Sequence, residues 1–205
     1  MTQFSSLPLR MCQVHLAALL ALMIVTQDAA AQMQVTIRGD VVTMRGGVSG
    51  NSCEKLWILL QRNRVSTVEL SSSGGNSADG RCVGMLIREY KLTTIVLDYC
   101  ISACSSMWMG GVRRFLAGPN AFLGMHSTFI SQSHMVSSAP MLNLKRIWLP
   151  LMAPNINRFL MEQWLYLQRP EQVMRFFKDR ADLCDGRDCK PIPGQNIDTA
   201  GLSAN

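Results

Sequence analysis

From residue 32 onward, short β-branched runs alternate with segments of helical spacing. Val35–Arg38 and Val41–Met44 alternate or run apolar and predict two strands. Gly46-Gly47-Val48-Ser49-Gly50 predicts a turn. Leu56, Ile58, Leu59 and Leu60 give Cys53–Arg62 an apolar helical face, with Asn51 or Ser52 placed to cap it. Val65–Leu70 predicts a further strand ended by Ser71–Gly75, and Ala78–Tyr90 a helix with Val83, Leu86 and Ile87 on one side. Thr93–Leu97 then predicts a strand, and Ala103–Met109 a short helix. Arg114-Phe115-Leu116 and Ala121–Met125 predict short strands around the turn Gly118-Pro119-Asn120. Residues 35–126 thus alternate strand and helix, the pattern of an α/β fold with parallel pairing and crossover connections.

From Pro140 the pattern becomes helical. Leu142–Met152 and Ile156–Leu167 carry Leu, Ile, Met and Trp at spacings of three and four. Pro170 with Glu171 predicts another helix through Asp179. The remainder, with Cys184, Cys189, Pro191, Pro193 and Gly194, predicts a loop-like tail. A chain of 205 residues fits a single domain, placed at 32–205, with its core at 35–130, a helical part at 140–182 and the tail at 183–205. Residues 1–31 are set aside from the fold. Arg10, the apolar run Leu16–Val25 and Ala29-Ala30-Ala31 form the pattern of a secretory signal peptide cleaved after Ala31. The apolar run is shorter than the roughly 20 residues that span a bilayer. The alternative is an uncleaved N-terminal membrane anchor. Cys12 precedes the run, where it is badly placed for lipid attachment.

The net charge is +6. Arg45, Arg62, Arg64, Arg88, Arg113 and Arg114 are scattered, so no clustered basic face points to nucleic acid. Beyond Cys12 the chain keeps Cys53, Cys82, Cys100, Cys104, Cys184 and Cys189. An even set in an exported chain points to disulfides. Cys100 with Cys104 and Cys184 with Cys189 are spaced for local bridges, which leaves Cys53 with Cys82, although the spacing alone does not fix the pairing. No CxxC pair with a nearby histidine supports zinc, and no metal or other cofactor is expected.

The residue that concentrates the chemistry is Ser102, in TTIVLDYCISACSSMWMGG. A serine between an apolar strand and a helix start has a hydroxyl at the strand end and helix N–H groups beside it, the parts of a nucleophile and an oxyanion hole. Of the three histidines, His15 falls in the signal segment and His134 in the polar stretch SQSH, leaving His126 in GMHS. Upstream lies Ser72-Ser73-Gly74-Gly75.

In their order along the chain, VVTMRGGV, VELSSSGG, TTIVLDYCISAC and AFLGMHS resemble the Clp-protease/crotonase superfamily, and particularly the Clp proteolytic subunit. The serine-to-histidine gap is 24 residues, near the family's spacing. The chain is also similar to exported Clp-like proteins whose serine is flanked by two cysteines. The resemblance covers Val41 to Ser127 well and the helical C-terminal part loosely. It implies a crotonase/Clp-protease-like spiral of β-β-α units with a helical C-terminal part.

The resemblance further implies Ser102 as nucleophile, His126 as general base, and the backbone N–H groups of Gly75 and Ala103 as the oxyanion hole. For a third member it implies an aspartate from PEQVMRFFKDRAD, either Asp179 or Asp182. The glycine turn reads Ser-Ser-Gly-Gly where the family commonly has Ser-Pro-Gly-Gly. The expected function is an exported, periplasmic or secreted serine hydrolase, a peptidase acting on peptide or protein substrates. It would need no ATPase partner, and the family implies a homo-oligomer. Other readings are a non-catalytic Clp-like module that binds peptides or assembles, an acyl-CoA enzyme of the crotonase type, a Ser–Lys dyad using Lys55, Lys91 or Lys145, and Cys104 as a thiol nucleophile.

Overall fold

Nine strands make one sheet in the computed structural model, which describes residues 32–130 and 135–204. The expected signal segment and His134 lie outside the described residues. In chain order the elements are β1 (Gln34–Arg38), β2 (Val41–Arg45), α1 (Ser52–Arg62), β3 (Thr67–Ser72), α2 (Ser77–Glu89), β4 (Thr93–Ile101), α3 (Ala103–Met109), β5 (Arg113–Leu116) and β6 (Phe122–Met125). There follow α4 (Ser138–Asn143), a π-helical stretch (Leu144–Trp148), α5 (Leu149–Met152), α6 (Arg158–Leu165), β7 (Gln172–Phe176), β8 (Ala181–Asp185) and β9 (Asp188–Pro191).

The sheet order is β1-β2-β3-β4-β6-β7-β8-β9, with β5 pairing β4 beside that path. β2, β3, β4, β5 and β6 pair in parallel, and β1 is antiparallel to β2. The nine-residue β4 is longer than its apolar run suggested, and this length serves two partners. Thr93–Val96 pairs with β5, while Tyr99–Ile101 pairs with β6. The step from one partner to the other carries the end of β4, and so Ser102, alongside β6. Val42, Met44, Val68, Leu70, Val96 and Leu123 point from the sheet into a single core shared with Leu56 of α1, Val83 and Ile87 of α2 and Trp108 of α3.

Two devices fix α1 to α2. Cys53 and Cys82 stand at disulfide geometry, Cα–Cα 5.7 Å. The buried carboxylate of Asp79 accepts from the N–H groups of Ser52 (2.9 Å) and Cys53 (3.2 Å) at the N-terminus of α1. Asn51 occupies the cap position without a side-chain cap bond, and Ser52 is the first helical residue, so the cap is supplied by a residue of α2 instead.

α2 meets α3 almost backbone to backbone. A Cβ on Gly80 would lie 2.5 Å from Ala103 O, one on Gly84 2.4 Å from Ser106 O, and one on Gly110 2.2 Å from Gly84 O. The same Gly84 position also faces the Trp148 ring at 2.8 Å. No residue larger than glycine fits these places without separating the helices.

The C-terminal part departs from expectation. Residues 170–179 are not a helix, because Gln172–Phe176 is β7, antiparallel to β6, and the tail is not loop-like, since β8 and β9 continue the sheet as a hairpin. In QVMRF the buried residues are Met174 and Phe176, with Arg175 between them, a period of two. The free edge of β6 decides the matter, because β7 satisfies its N–H and C=O groups. Cys184 and Cys189, directly opposed in the β8–β9 register, form a further disulfide pair. Within the helical part, the π-helical stretch precedes Pro150. Proline has no N–H for the i−4 carbonyl, and widening the helix there relieves that loss.

A buried arginine gathers these pieces. Arg114 of β5 donates from Nε to Gly111 O (3.0 Å), from Nη1 to Leu202 O (2.6 Å), and from Nη2 to Met152 O. Burial, and then the neighbouring Arg88, lower its pKa to about 10, so it stays charged at neutral pH.

Exchanging glycine for alanine within an ordinary helix gains about 1 kcal/mol. At Gly84 the sign reverses: Gly84→Ala is expected to lose about 1–3 kcal/mol by overpacking, read as a lowered urea midpoint.

Candidate active site

Ser102 closes β4 with φ 58° and ψ −122°, a backbone conformation that residues with a side chain rarely adopt. Holding it costs on the order of 1–3 kcal/mol, which the surroundings must offset. The Ser102 N–H donates to Gly124 O at 3.0 Å, and the Ser105 N–H donates to Ser102 O at 2.9 Å. The buried Ser105 hydroxyl donates to the same Gly124 O at 2.7 Å. Cys100 and Cys104, both fully buried, close a disulfide across the turn with Cα–Cα 5.1 Å. Gly124 O therefore joins the serine's turn to β6, the strand that carries His126 two residues later.

The glycine turn leans on the same corner. A Cβ on Gly74 would lie 2.7 Å from both Ile101 O and Ser102 Cβ, and 3.1 Å from Ala103 N. Gly74 has φ +98° and Gly75 φ +137°, so both sit where glycine is favoured. The Val48 N–H donates to Gly74 O (2.7 Å), and the Asn76 N–H donates to Val48 O (2.9 Å). Those bonds bracket Gly75, which pairs with Val48 as an isolated parallel bridge. The N–H of Ala103, first in α3, has no acceptor within the helix.

His126 follows β6 and is half-buried. Its Nδ1 lies 2.5 Å from Ser127 O, and its ring stacks on Phe129 with centroids 5.8 Å apart. A proton on Nδ1 donated to that carbonyl leaves Nε2 as the open acceptor. Burial lowers the pKa of His126, and the bond to the Ser127 carbonyl acts in the opposite direction. Ser127 is itself buried, its hydroxyl reaching Leu165 O (2.7 Å) and Leu167 O (2.5 Å) at the end of α6. The helical part thereby anchors the histidine.

Ser102, Ala103 and His126 line one narrow pocket of about 30 Å³, with Met109, Met125 and Trp164 among its walls. That is room for one or two waters. Among the described residues no hydrogen bond joins Ser102 Oγ to the imidazole.

Asp179 and Asp182 are placed elsewhere. Asp179 is exposed and pairs with Arg180 at 3.2 Å, and Asp182 lies on β8 opposite Arg175, 3.8 Å from Arg180. Neither lines the pocket, and His126 has no carboxylate partner among the described residues. The segment forms the hairpin of β7 and β8, and its turn carries Asp179 away from the end of β6 that bears His126.

None of Lys55, Lys91 and Lys145 lines the pocket. Lys55 Nζ donates to Met33 O at 2.9 Å, Lys91 follows α2 with φ 55°, and Lys145 pairs with Glu162. Cys104, in its disulfide pair, offers no thiolate. No group of three or more metal-ligating side chains occurs among the described residues. Nor does any helix among them have the length and apolarity to cross a membrane.

Ser105 of α3 and Arg81 of α2 both line this pocket, and neither stood out in sequence. The available signal was the spacing of Ser77 and Arg81, one helical turn apart on the helix whose glycines meet α3.

The described residues form an α/β fold of the Clp-protease kind. No protein-family model matches the sequence, and no curated protein does. Among solved structures the fold is similar to ClpP1 from Listeria monocytogenes, 12% identical with TM-score 0.52, over 80% of this chain and 88% of that one. A point mutant of that protein gives 14% identity with the same TM-score and coverage. A probable enoyl-CoA hydratase/isomerase from Mycobacterium abscessus is 11% identical with TM-score 0.49, over 84% of this chain and 67% of that one. At these identities the likeness is one of fold.

In an NMR titration the His126 imidazole is expected to titrate below the 6.5 of a free histidine. The folded chain then binds this proton more weakly than the unfolded one. Its contribution to stability is intact above pH 6.5 and is lost as the pH falls from 6.5 through the folded value.

Proposed function

We propose that this chain is an exported serine hydrolase, a peptidase in which Ser102 is the nucleophile and His126 the general base. The observation that carries the reading is that a strained Ser102, Ala103 (the first residue of α3) and His126, whose Nδ1 is held by the Ser127 carbonyl, line one pocket. His126 Nε2 takes the Ser102 Oγ proton as Oγ attacks the substrate carbonyl. The Gly75 and Ala103 N–H groups receive the oxyanion, and His126 returns the proton to the leaving amine. Water, deprotonated by the same imidazole, then releases the acyl group from Ser102.

In a triad the acid fixes the histidine tautomer and stabilises the imidazolium. Here the Ser127 carbonyl supports the tautomer, so the reading is a Ser102–His126 dyad without Asp179 or Asp182. Export rests on the apolar N-terminal segment, and the three cysteine pairs suit an oxidising compartment. The exposed Leu142, Ile147, Leu151 and Phe159 of the helical part are compatible with self-association.

The test is labelling of the folded, oxidised protein, residues 32–205, with a fluorophosphonate. Wild type is expected to label and Ser102→Ala not at all. His126→Ala should slow labelling about 10²–10⁴-fold. Gly74→Ala, whose Cβ would press on Ser102 Cβ, is expected to slow it at least 10-fold, the result of a displacement worth over 1.4 kcal/mol. A wild type that stays unlabelled while folded would overturn the hydrolase reading and leave the non-catalytic peptide-binding module.

A further inference from the structure

We propose that Arg81 is a specificity-determining residue that receives a substrate carboxylate beside Ser102, an assignment resting on the pocket being the substrate site. Arg81 lines the same pocket as Ser102 and His126, one helical turn after Ser77, which lines it too. Among the described residues Arg81 has no hydrogen-bond or ion-pair partner. The other arginines held partly or wholly from water are engaged. Arg114 and Arg88 donate to backbone carbonyls, and Arg175 lies over the Phe122 ring at 5.1 Å.

A half-buried guanidinium without a partner is unfavourable, since it gives up hydration and receives nothing in return. Its pKa is lowered by burial and no neighbouring charge acts the other way. No aspartate or glutamate lines the pocket, whose other walls are small hydroxyls and apolar side chains such as Met109 and Met125. The missing counter-charge therefore has to arrive with the ligand.

The chemistry of the fit is specific. A guanidinium fork takes a carboxylate through two parallel N–H···O bonds, and a pocket with room for one or two waters suits such a head group. Arg81 is also held in place. Its neighbour Cys82 is paired with Cys53, and Gly80 keeps α2 against Ala103. The substrate is thus a peptide with a carboxylate close to the scissile bond. That carboxylate is either an acidic side chain or a free C-terminus.

The experiment separates recognition from chemistry by measuring peptide binding to Ser102→Ala by NMR. Four blocked alanine pentapeptides serve as probes: one with a central glutamate, its glutamine counterpart, one with a free C-terminal carboxylate, and its amide. One acidic peptide is expected to bind about 10- to 100-fold more tightly than its neutral counterpart, and which one does identifies the source of the carboxylate. Adding Arg81→Met or Arg81→Gln should remove that preference, while Arg81→Lys should keep part of it. Equal binding of acidic and neutral peptides, or a preference that survives both neutral substitutions, would overturn the assignment. Because Ser102→Ala cannot form an acyl-enzyme, this result is independent of whether the wild type labels with fluorophosphonate.

Discussion

The near contact of α2 with α3 is the constraint on which the site depends. Two helices carrying ordinary side chains pack with their axes about 8–10 Å apart. Gly80, Gly84 and Gly110 remove the side chains that would hold these two at that distance, and their backbones meet. This lets the start of α3, with Ala103, sit under the start of α2, with Ser77 and Arg81. The Ser72–Gly75 turn feeds α2, so it is brought at once against Ser102. Ser102, Arg81 and His126, from three separate segments of the chain, reach one pocket through that packing.

Around this contact the molecule places cross-links where a loss of geometry would be felt most. Cys53–Cys82 and the Asp79 carboxylate tie α1 to α2, and Cys100–Cys104 spans the strained turn. Gly124 O accepts from both Ser102 N–H and Ser105 Oγ, so the Ser102 turn and the strand leading to His126 share one hydrogen-bond acceptor. On the far side, Ser127 links His126 to the last carbonyls of α6. The helical part thus supports the backbone next to His126 from behind.

Much of the fold was legible in the sequence because local periodicity and local burial agree up to Met125. Strands β1 to β6 and helices α1 to α3 follow apolar runs whose partners are the neighbouring elements. Ser102 and His126 stood out because a small-residue turn after an apolar strand is a local signal. Local signals misled at the C-terminus. Pro170-Glu171 marks a helix start, yet the open edge of β6, nearly fifty residues upstream, makes Gln172–Phe176 a strand. Asp179 and Asp182 looked suited to a triad on a helix, and on a hairpin they pair with Arg180 instead.

By itself the sequence determined the alternation of strand and helix and the strand-to-helix junction at Ser102, because both are written in residues close along the chain. It also determined the six cysteines that could be paired. Only the tertiary structure decided which groups share the pocket. Gly74 becomes indispensable through its approach to Ser102 Cβ, Arg81 becomes notable because nothing packed around it carries a negative charge, and Asp179 is excluded by the direction of a hairpin. Each of these depends on distances between segments that a linear pattern does not encode, since the helix–helix contact and the sheet edge that set them are made by remote parts of the chain.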